Sequence, residues 1–456
     1  MTHHENLREL PIKSLLWKLS VPAMVGLGVN ALYNIVDGIF VGLATGEKGI
    51  AAISVVFPIQ AIFFALGLLF SIGAASVYSR AIGARQFDRA GLVVNSTILI
   101  LAAISGLLIL VGLTFAEPIG YLFGMQDAFK VETMNYLRII FYGTPFLFFN
   151  VFFNNMFRAE GQAKVAMLAL VLGTGTNIIL DPILIFGYNL GTLGAAIATV
   201  IGYGVTTLFL ITRLMKDKQS LLIPSWRRFT FNPSLTKEVT AVGFPIFIRN
   251  TVGAFIAVVI NNTLRVYAVD PVLAVAIYGI VARVQLFLLL PLFGINQGMM
   301  PIIGYNFGAE LPARVDEARR YAFRAMTGYL IIAFSFMFIS APFAIRLFGV
   351  TNPDNIEYGQ LVLRLAFLML PFFAAQVNLS GYYQALGRAK IATFIALLRQ
   401  FITLLPLIII LPIFFGEWGV WISIPIADSI SAVITMWMYR SENKRYDVQL
   451  QEVQTT

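Results

Sequence analysis

Residues Ser96–Phe115 read STILILAAISGLLILVGLTF, twenty consecutive positions without a charged side chain. Wound as a helix at ~1.5 Å per residue, such a segment is long enough to cross a ~30 Å hydrocarbon core. Lipid offers no partner to a backbone N–H or C=O, so a spanning segment must be a helix or a strand of a closed barrel. The period-two alternation of barrel strands is missing here. Outward from this stretch the pattern repeats, for example at Ala61–Leu69 and Tyr329–Ile345. The chain as a whole is 58% hydrophobic and only 12% charged, against roughly a quarter charged in soluble domains. The fold class expected is all-α integral membrane. Apolar windows predict spans at 17–43, 50–79, 92–116, 134–157, 165–187, 193–215, 239–264, 272–304, 322–346, 358–384, 391–414 and 418–440.

Basic residues cluster in alternate connections: Arg80, Arg85 and Arg89; Arg158 and Lys164; Arg213 through Lys237; Arg314 through Arg324; Arg388 and Lys390. By the positive-inside rule both termini and these connections are expected in the cytoplasm. The net charge of +9 is thereby read as topology, and nucleic acid is not expected as a partner. The polar start Met1–Leu10, followed by Pro11 and Lys13, lacks the pattern of a cleaved signal peptide, so the first apolar helix is expected to remain as a span. There is no cysteine, and His3 and His4 are the only histidines. Thiol chemistry, Cys-based metal sites and intramembrane imidazole relays are excluded, and no cofactor is expected beyond a coupling H⁺ or Na⁺.

The two halves overlay at a shift of about 225 residues. Pro22 meets Pro245, Gln60 meets Gln285, Gly73 meets Gly298, and Gly83-Ala84 meets Gly308-Ala309. Arg158-Ala159-Glu160-Gly161-Gln162-Ala163-Lys164 meets Gln384-Ala385-Leu386-Gly387-Arg388-Ala389-Lys390. Several matches at nearly one offset indicate a duplication. Six spans per half make it a parallel repeat about an axis along the membrane normal, with a central cleft between two bundles. The expected division is an amino-terminal lobe (1–215), a linker (216–238), a carboxy-terminal lobe (239–440) and a tail (441–456).

A charged side chain at mid-membrane costs ~3 kcal/mol on insertion scales and so asks for a partner or a purpose. In the first half Asp37 and Asp181 reach the outer half of the membrane at similar depth. Asn34 and Asn177 lie one turn below them on the same faces. Thr199 reaches a comparable level, Asn154 and Tyr136 lie on the fourth span, and Pro182 frees helix carbonyls beside Asp181. This oxygen-rich set suits Na⁺, at Asp37, Asn177, Asp181 and Thr199, or a proton shared between carboxylates. Such aspartates also serve simply to tie helices together, and Pro22 and Pro245 to kink them.

The second half has Ile260 and Leu407 near the positions of the two aspartates. It carries instead Arg249, Arg283, Arg364 and Arg399, with Asp428 the one deep carboxylate. Arg399 and Asp428 read as a structural pair. Arg249 and Arg283, with Gln60, Gln285, Asn296, Gln297 and Gln376, are candidates to line the cleft and meet a polar or anionic ligand group.

With these residues in view the chain resembles the MATE (multidrug and toxic compound extrusion) family, in its DinF/MepA-like branch. The markers are Ser20-Val21-Pro22, Leu32-Tyr33-Asn34-Ile35-Val36-Asp37, Gly83-Ala84-Arg85, Phe157-Arg158-Ala159-Glu160-Gly161, Asn177-Ile178-Ile179-Leu180-Asp181-Pro182-Ile183, Gly194-Ala195-Ala196-Ile197-Ala198-Thr199, Tyr278-Gly279-Ile280, Gln297-Gly298 and Pro301. The resemblance implies a monomeric antiporter of a bacterial or archaeal cytoplasmic membrane, exporting small amphipathic, often cationic drugs or toxins against H⁺ or Na⁺. It implies a cation site at Asp37, Asn177, Asp181 and Thr199, with Tyr136 and Asn154 nearby, and a bend at Pro22 that responds to it. The NorM-type acidic residues of the seventh and tenth spans are replaced by Arg249 and Arg364, so no second Na⁺ site is carried over. A lipid-linked saccharide flippase or an exporter of anionic metabolites is the competing reading, and the second-half arginines keep it open. No GxxxxGK[ST] loop or HExxH motif points to an enzyme.

Overall fold

The computed structural model describes residues 3–217, 219–222 and 231–455, excluding the side chains of residues 3–4, 34–35 and 443–455. Much of the expected linker, including Pro224, Trp226, Arg227 and Arg228, therefore lies outside the described residues, as does the Asn34 side chain.

After a short helix, His3–Glu9, one helical run covers Ile12–Gly83 and is interrupted only at Gly46. Gly46 takes φ 59° and ψ −147°, a conformation open essentially to glycine alone. It reverses the chain between α1 (12–45) and α2 (47–83). The remaining spans are α3 (Phe87–Leu122), α4 (Lys130–Tyr142 with Thr144–Ala159), α5 (Ala163–Gly187), α6 (Thr192–Lys216), α7 (Pro233–Tyr267), α8 (Pro271–Gly308), α9 (Pro312–Leu347), α10 (Pro353–Ala385), α11 (Ala389–Phe415) and α12 (Glu417–Glu442). Twelve spans result, as the sequence predicts. The starts of α7, α8 and α10 are written into the sequence: Asn232, Asp270 and Asn352 cap backbone N–H groups of Leu235, Leu273 and Asp354, each with proline in the first turn.

Three departures from straight helices are informative. α4 bends by 51° at Gly143, where the sequence shows one continuous span. α5 passes into a π-helical turn at Ile183–Gly187, immediately after Pro182, and α11 does so at Leu398–Leu404. Pro182 cannot donate to the carbonyl of Ile178, so the ladder is broken at the depth of Asp181. At Pro22, by contrast, α1 keeps helical dihedrals.

The duplication is visible in backbone detail. Gly191 and Gly416, 225 positions apart, open α6 and α12 with φ 55° and 56°. α2 and α8 cross reciprocally: a Cβ on Gly83 would lie 2.0 Å from the Tyr305 carbonyl oxygen, and one on Gly308 would lie 2.0 Å from that of Arg80. Arg80 and Tyr305 are themselves repeat mates, so the pseudo-two-fold axis passes through this crossing. Gly73 abuts the Val239 carbonyl on α7, and Gly298 abuts Ser20 on α1. All these contacts lie in the half of the bundle that carries the termini, the basic end. Arg80 and Arg89 both bind Glu238 there, at 3.0 and 2.6 Å. Ser76 donates to the Gln384 carbonyl, and Gln384 to that of Val242. Arg314 reaches the Leu10 carbonyl at 2.7 Å. The lobes are thus closed on one another at the basic end.

Candidate cation site and central cleft

In the amino-terminal lobe, α1, α5 and α6 bring their polar residues to one level, in the half away from the basic end. Asp37 is 7% exposed and Asp181 fully buried, and the two are close enough to interact electrostatically. Asn177, one turn before Asp181 on α5, donates to Asp181 Oδ1 at 3.4 Å and reaches Thr199 Oγ1 at 3.5 Å. Tyr33, one turn before Asp37, shares a hydrogen bond of 3.1 Å with Thr199. Tyr136 of α4 hydrogen-bonds Thr199 and lies within electrostatic reach of both aspartates. A cavity of about 20 Å³ opens here among Asn30, Tyr33, Asn150, Asn177, Thr199 and Tyr203, enough for one water-sized occupant.

The balance of donors is uneven. Asp37 Oδ1, Asp181 Oδ2, Asn177 Oδ1 and Asn150 Oδ1 are buried acceptors with no hydrogen-bond partner. Buried polar groups are nearly always paired, and these orphaned acceptors, those of Asn150 and Asn177 on residues lining the cavity and those of Asp37 and Asp181 in the same group, ask for a positive or proton-donating guest. Among the described residues no cluster of three or more Asp, Glu, His or Cys side chains is present. A cation here would be held by mixed carboxylate, amide and hydroxyl oxygens, which fits Na⁺ or H⁺ better than a divalent transition metal.

The structure separates some of the residues that the sequence groups. Asn154 is tied to the Ala166 carbonyl at 2.9 Å, nearer the basic end, and Asn150, one turn earlier, faces the cavity instead. Gln60 reaches Tyr203 at 3.4 Å and so belongs to the edge of the amino-lobe group. Pro22 is buried where α1 meets α8, between Ser20 against Gly298 and Met24 against Gly294. Gln376 does not line the cleft. It is buried within its own lobe, because its amide is satisfied by the Ile395 carbonyl at 3.0 Å. Arg399 pairs with Asp428 and lies over Phe373. Arg249 lies over Phe293, and Arg364 binds the Phe338 carbonyl beneath its own ring contact. Arg283 is exposed and Gln285 half-buried on α8, while Gln297 faces a cavity between the lobes. Tyr33, Tyr203 and Asn150 are the site residues that the sequence reading passed over. Tyr33 and Asn150 sit one turn from Asp37 and Asn154, a helical spacing that was available as a signal.

Two six-helix lobes, related by a two-fold axis along the membrane normal and closed at one end, define a two-lobe membrane transporter architecture. The MatE family profile matches residues 22–183 and 245–410, and the chain belongs to the MatE family, the MATE transporters. It is 30% identical over 426 residues to the Multidrug export protein MepA of Staphylococcus aureus (strain MSSA476), covering 93% of each chain. Among solved structures it is similar to MATE in the bent conformation, with a TM-score of 0.91 at 25% identity over 98% of this chain and 99% of that one. It is also similar to the outward-facing conformation of a multidrug resistance MATE family transporter of the MOP superfamily, with a TM-score of 0.90 at 24% identity over 97% and 98%.

Proposed function

We propose that the protein is a secondary active exporter of small amphipathic, often cationic organic compounds, driven by H⁺ or Na⁺ entering through the amino-lobe site. The observation that carries this is the set of orphaned acceptors on Asp37, Asp181 and Asn177. A proton or Na⁺ supplies the positive partner they lack, and its departure restores uncompensated charge inside the lobe. The naming of the S. aureus relative as a multidrug export protein supports the direction and breadth of transport. The second-half arginines are largely engaged within their own lobe, which weakens the flippase reading. The basic end, by the positive-inside rule, is cytoplasmic, and the cleft is then closed toward the cytoplasm.

Coupling follows from differential binding. A cation that binds one state of the cleft better than the other shifts the equilibrium by that difference, and cargo that prefers the opposite state competes with it without sharing its atoms. The test is dye export in everted vesicles under separately imposed H⁺ and Na⁺ gradients. Asp37→Asn and Asp181→Asn should each abolish gradient-driven export, with the purified variants eluting as the parent does. Full export by both variants would overturn the proposal.

A further inference from the structure

A second unbalanced charge lies at the basic end of the cleft. Arg158 closes α4 and is 7% exposed. Its side chain lines a cavity of about 40 Å³ between the lobes, walled by α2, α4 and α8. Nε has no hydrogen-bond partner, nor does Oε1 of Gln297 across the lobe boundary. Other local groups are committed elsewhere: Asn155 donates to the Val151 carbonyl and Ser76 to that of Gln384. The carboxylate two residues away, Glu160, is occupied by Tyr78, Ser220 and the Leu221 N–H. Among the described residues Arg158 has no acidic partner. Water fits this cavity but does not neutralise a guanidinium, and an uncompensated buried charge costs several kcal/mol.

We propose that Arg158 and Gln297 form a seat for the carboxylate of a transported amphipathic acid or zwitterion. The guanidinium offers a planar fork matched to a carboxylate. The Gln297 amide, turned about its last torsion, adds an N–H from the opposite lobe. Ile72, Ala75, Ala159 and Pro301 give the apolar wall for the adjoining part of the molecule. The inference rests on the export reading: parting of the lobes at the basic end exposes the seat to the cytoplasm, where cargo is loaded.

The experiment uses rhodamine B, which bears a free carboxylate, and its ethyl ester, with the full chain in everted vesicles. Arg158→Gln should lower export of the acid about tenfold, the loss of one charge-assisted hydrogen bond, and leave the ester within twofold. Arg158→Lys should retain part of the preference, and Gln297→Met, which keeps the charge, should give an intermediate loss. Acetate at high concentration should inhibit export of the acid and not of the ester in the parent, and neither in Arg158→Gln. An equal loss for both dyes, or for neither, overturns the seat. So does stabilisation by acetate without any dye preference, which would assign the cavity to a free anion. If the parent exports neither dye, the export reading fails, and the seat is judged by equilibrium binding to the purified protein. A tenfold weaker Kd for the acid alone in Arg158→Gln then supports it, and an unchanged Kd overturns it.

Discussion

The two lobes build the same pocket from opposite chemistry. At the offset of 225–226, Asn150 corresponds to Gln376, Gly173 to Arg399, Asn177 to Thr403 and Tyr203 to Asp428. Gln376, Arg399, Asp428 and Ser431 surround a cavity of only about 10 Å³. There the positive charge is covalently attached, and Arg399 meets both oxygens of Asp428. In the amino-terminal lobe the acids are present and the base is not. A lobe that carries its own counter-ion cannot exchange it, whereas one that lacks it is suited to the cation exchange proposed above. The duplication has kept the scaffold and left the unpaired carboxylates in one half only.

The sharpest way to break this comparison is to unbalance the carboxy-terminal pocket. Arg399→Gln leaves Asp428 charged and nearly buried, and removing one partner of a buried pair costs about 3–5 kcal/mol. The apparent Tm of the purified protein should fall strongly. In the double variant Arg399→Met with Asp428→Leu most of that loss should return, with export of the ester dye largely kept. Asp181→Asn should do the reverse, abolishing export while leaving Tm equal or higher, because the charge it removes has no ion-pair partner among the described residues and its amide oxygen can still accept from Asn177. A double variant that stays as unstable as Arg399→Gln would show that this pocket depends on its charge pair for more than neutrality.

Where the chemistry differs, the inter-lobe contact is symmetric, and this yields a smaller effect. Gly83→Ala and Gly308→Ala each place a methyl about 2.0 Å from a carbonyl oxygen of the opposite lobe. Overpacking of this kind typically costs about 1–3 kcal/mol, and it falls on the state closed at the basic end. Both variants should favour the state open at the basic end, and by similar amounts. The reporter is a cysteine introduced at Ser79, unique because the chain has none, labelled with an impermeant maleimide in everted vesicles. Opposite responses of the two variants would show that the crossing is not on the pseudo-axis.

Much of this arrangement is legible in the sequence, and what is not has physical causes. Long uncharged runs give the twelve spans, and counting residues along two helices puts Asp37 and Asp181 at one depth. Hydroxyls are harder to read: Tyr33 and Tyr203 sit in apolar runs where an aromatic ring looks like core. Asn150 and Asn154 lie one turn apart on one face, and a sequence without the 51° bend in α4 gives no reason to choose between them. Gln376 looks like cleft lining because an amide in an apolar span asks for a partner. The Ile395 carbonyl that satisfies it belongs to the turn preceding the π-helical stretch of α11, which composition does not reveal. Arg158 counts as a topology charge in the sequence, and only the fold turns it inward.

The smallest expected effect lies where the symmetry of the contact fails. Glu238 on α7 binds Arg80 and Arg89 of the amino-terminal lobe, but the repeat positions of Glu238 and Arg80 are Leu15 and Tyr305, so the latch has no counterpart across the axis. Glu238 and Arg89 are a third or more exposed as side chains, and partly exposed pairs contribute about 0.2–1 kcal/mol. Glu238→Gln should therefore raise the labelling rate of the Ser79 cysteine no more than about fivefold and leave Tm nearly unchanged. Because exposed charges are screened by salt, the gap between parent and variant should narrow as ionic strength rises. A gap that persists at high salt would mean that Glu238 holds the lobes through packing and not charge, and an unchanged rate at low salt would remove it from the closure altogether.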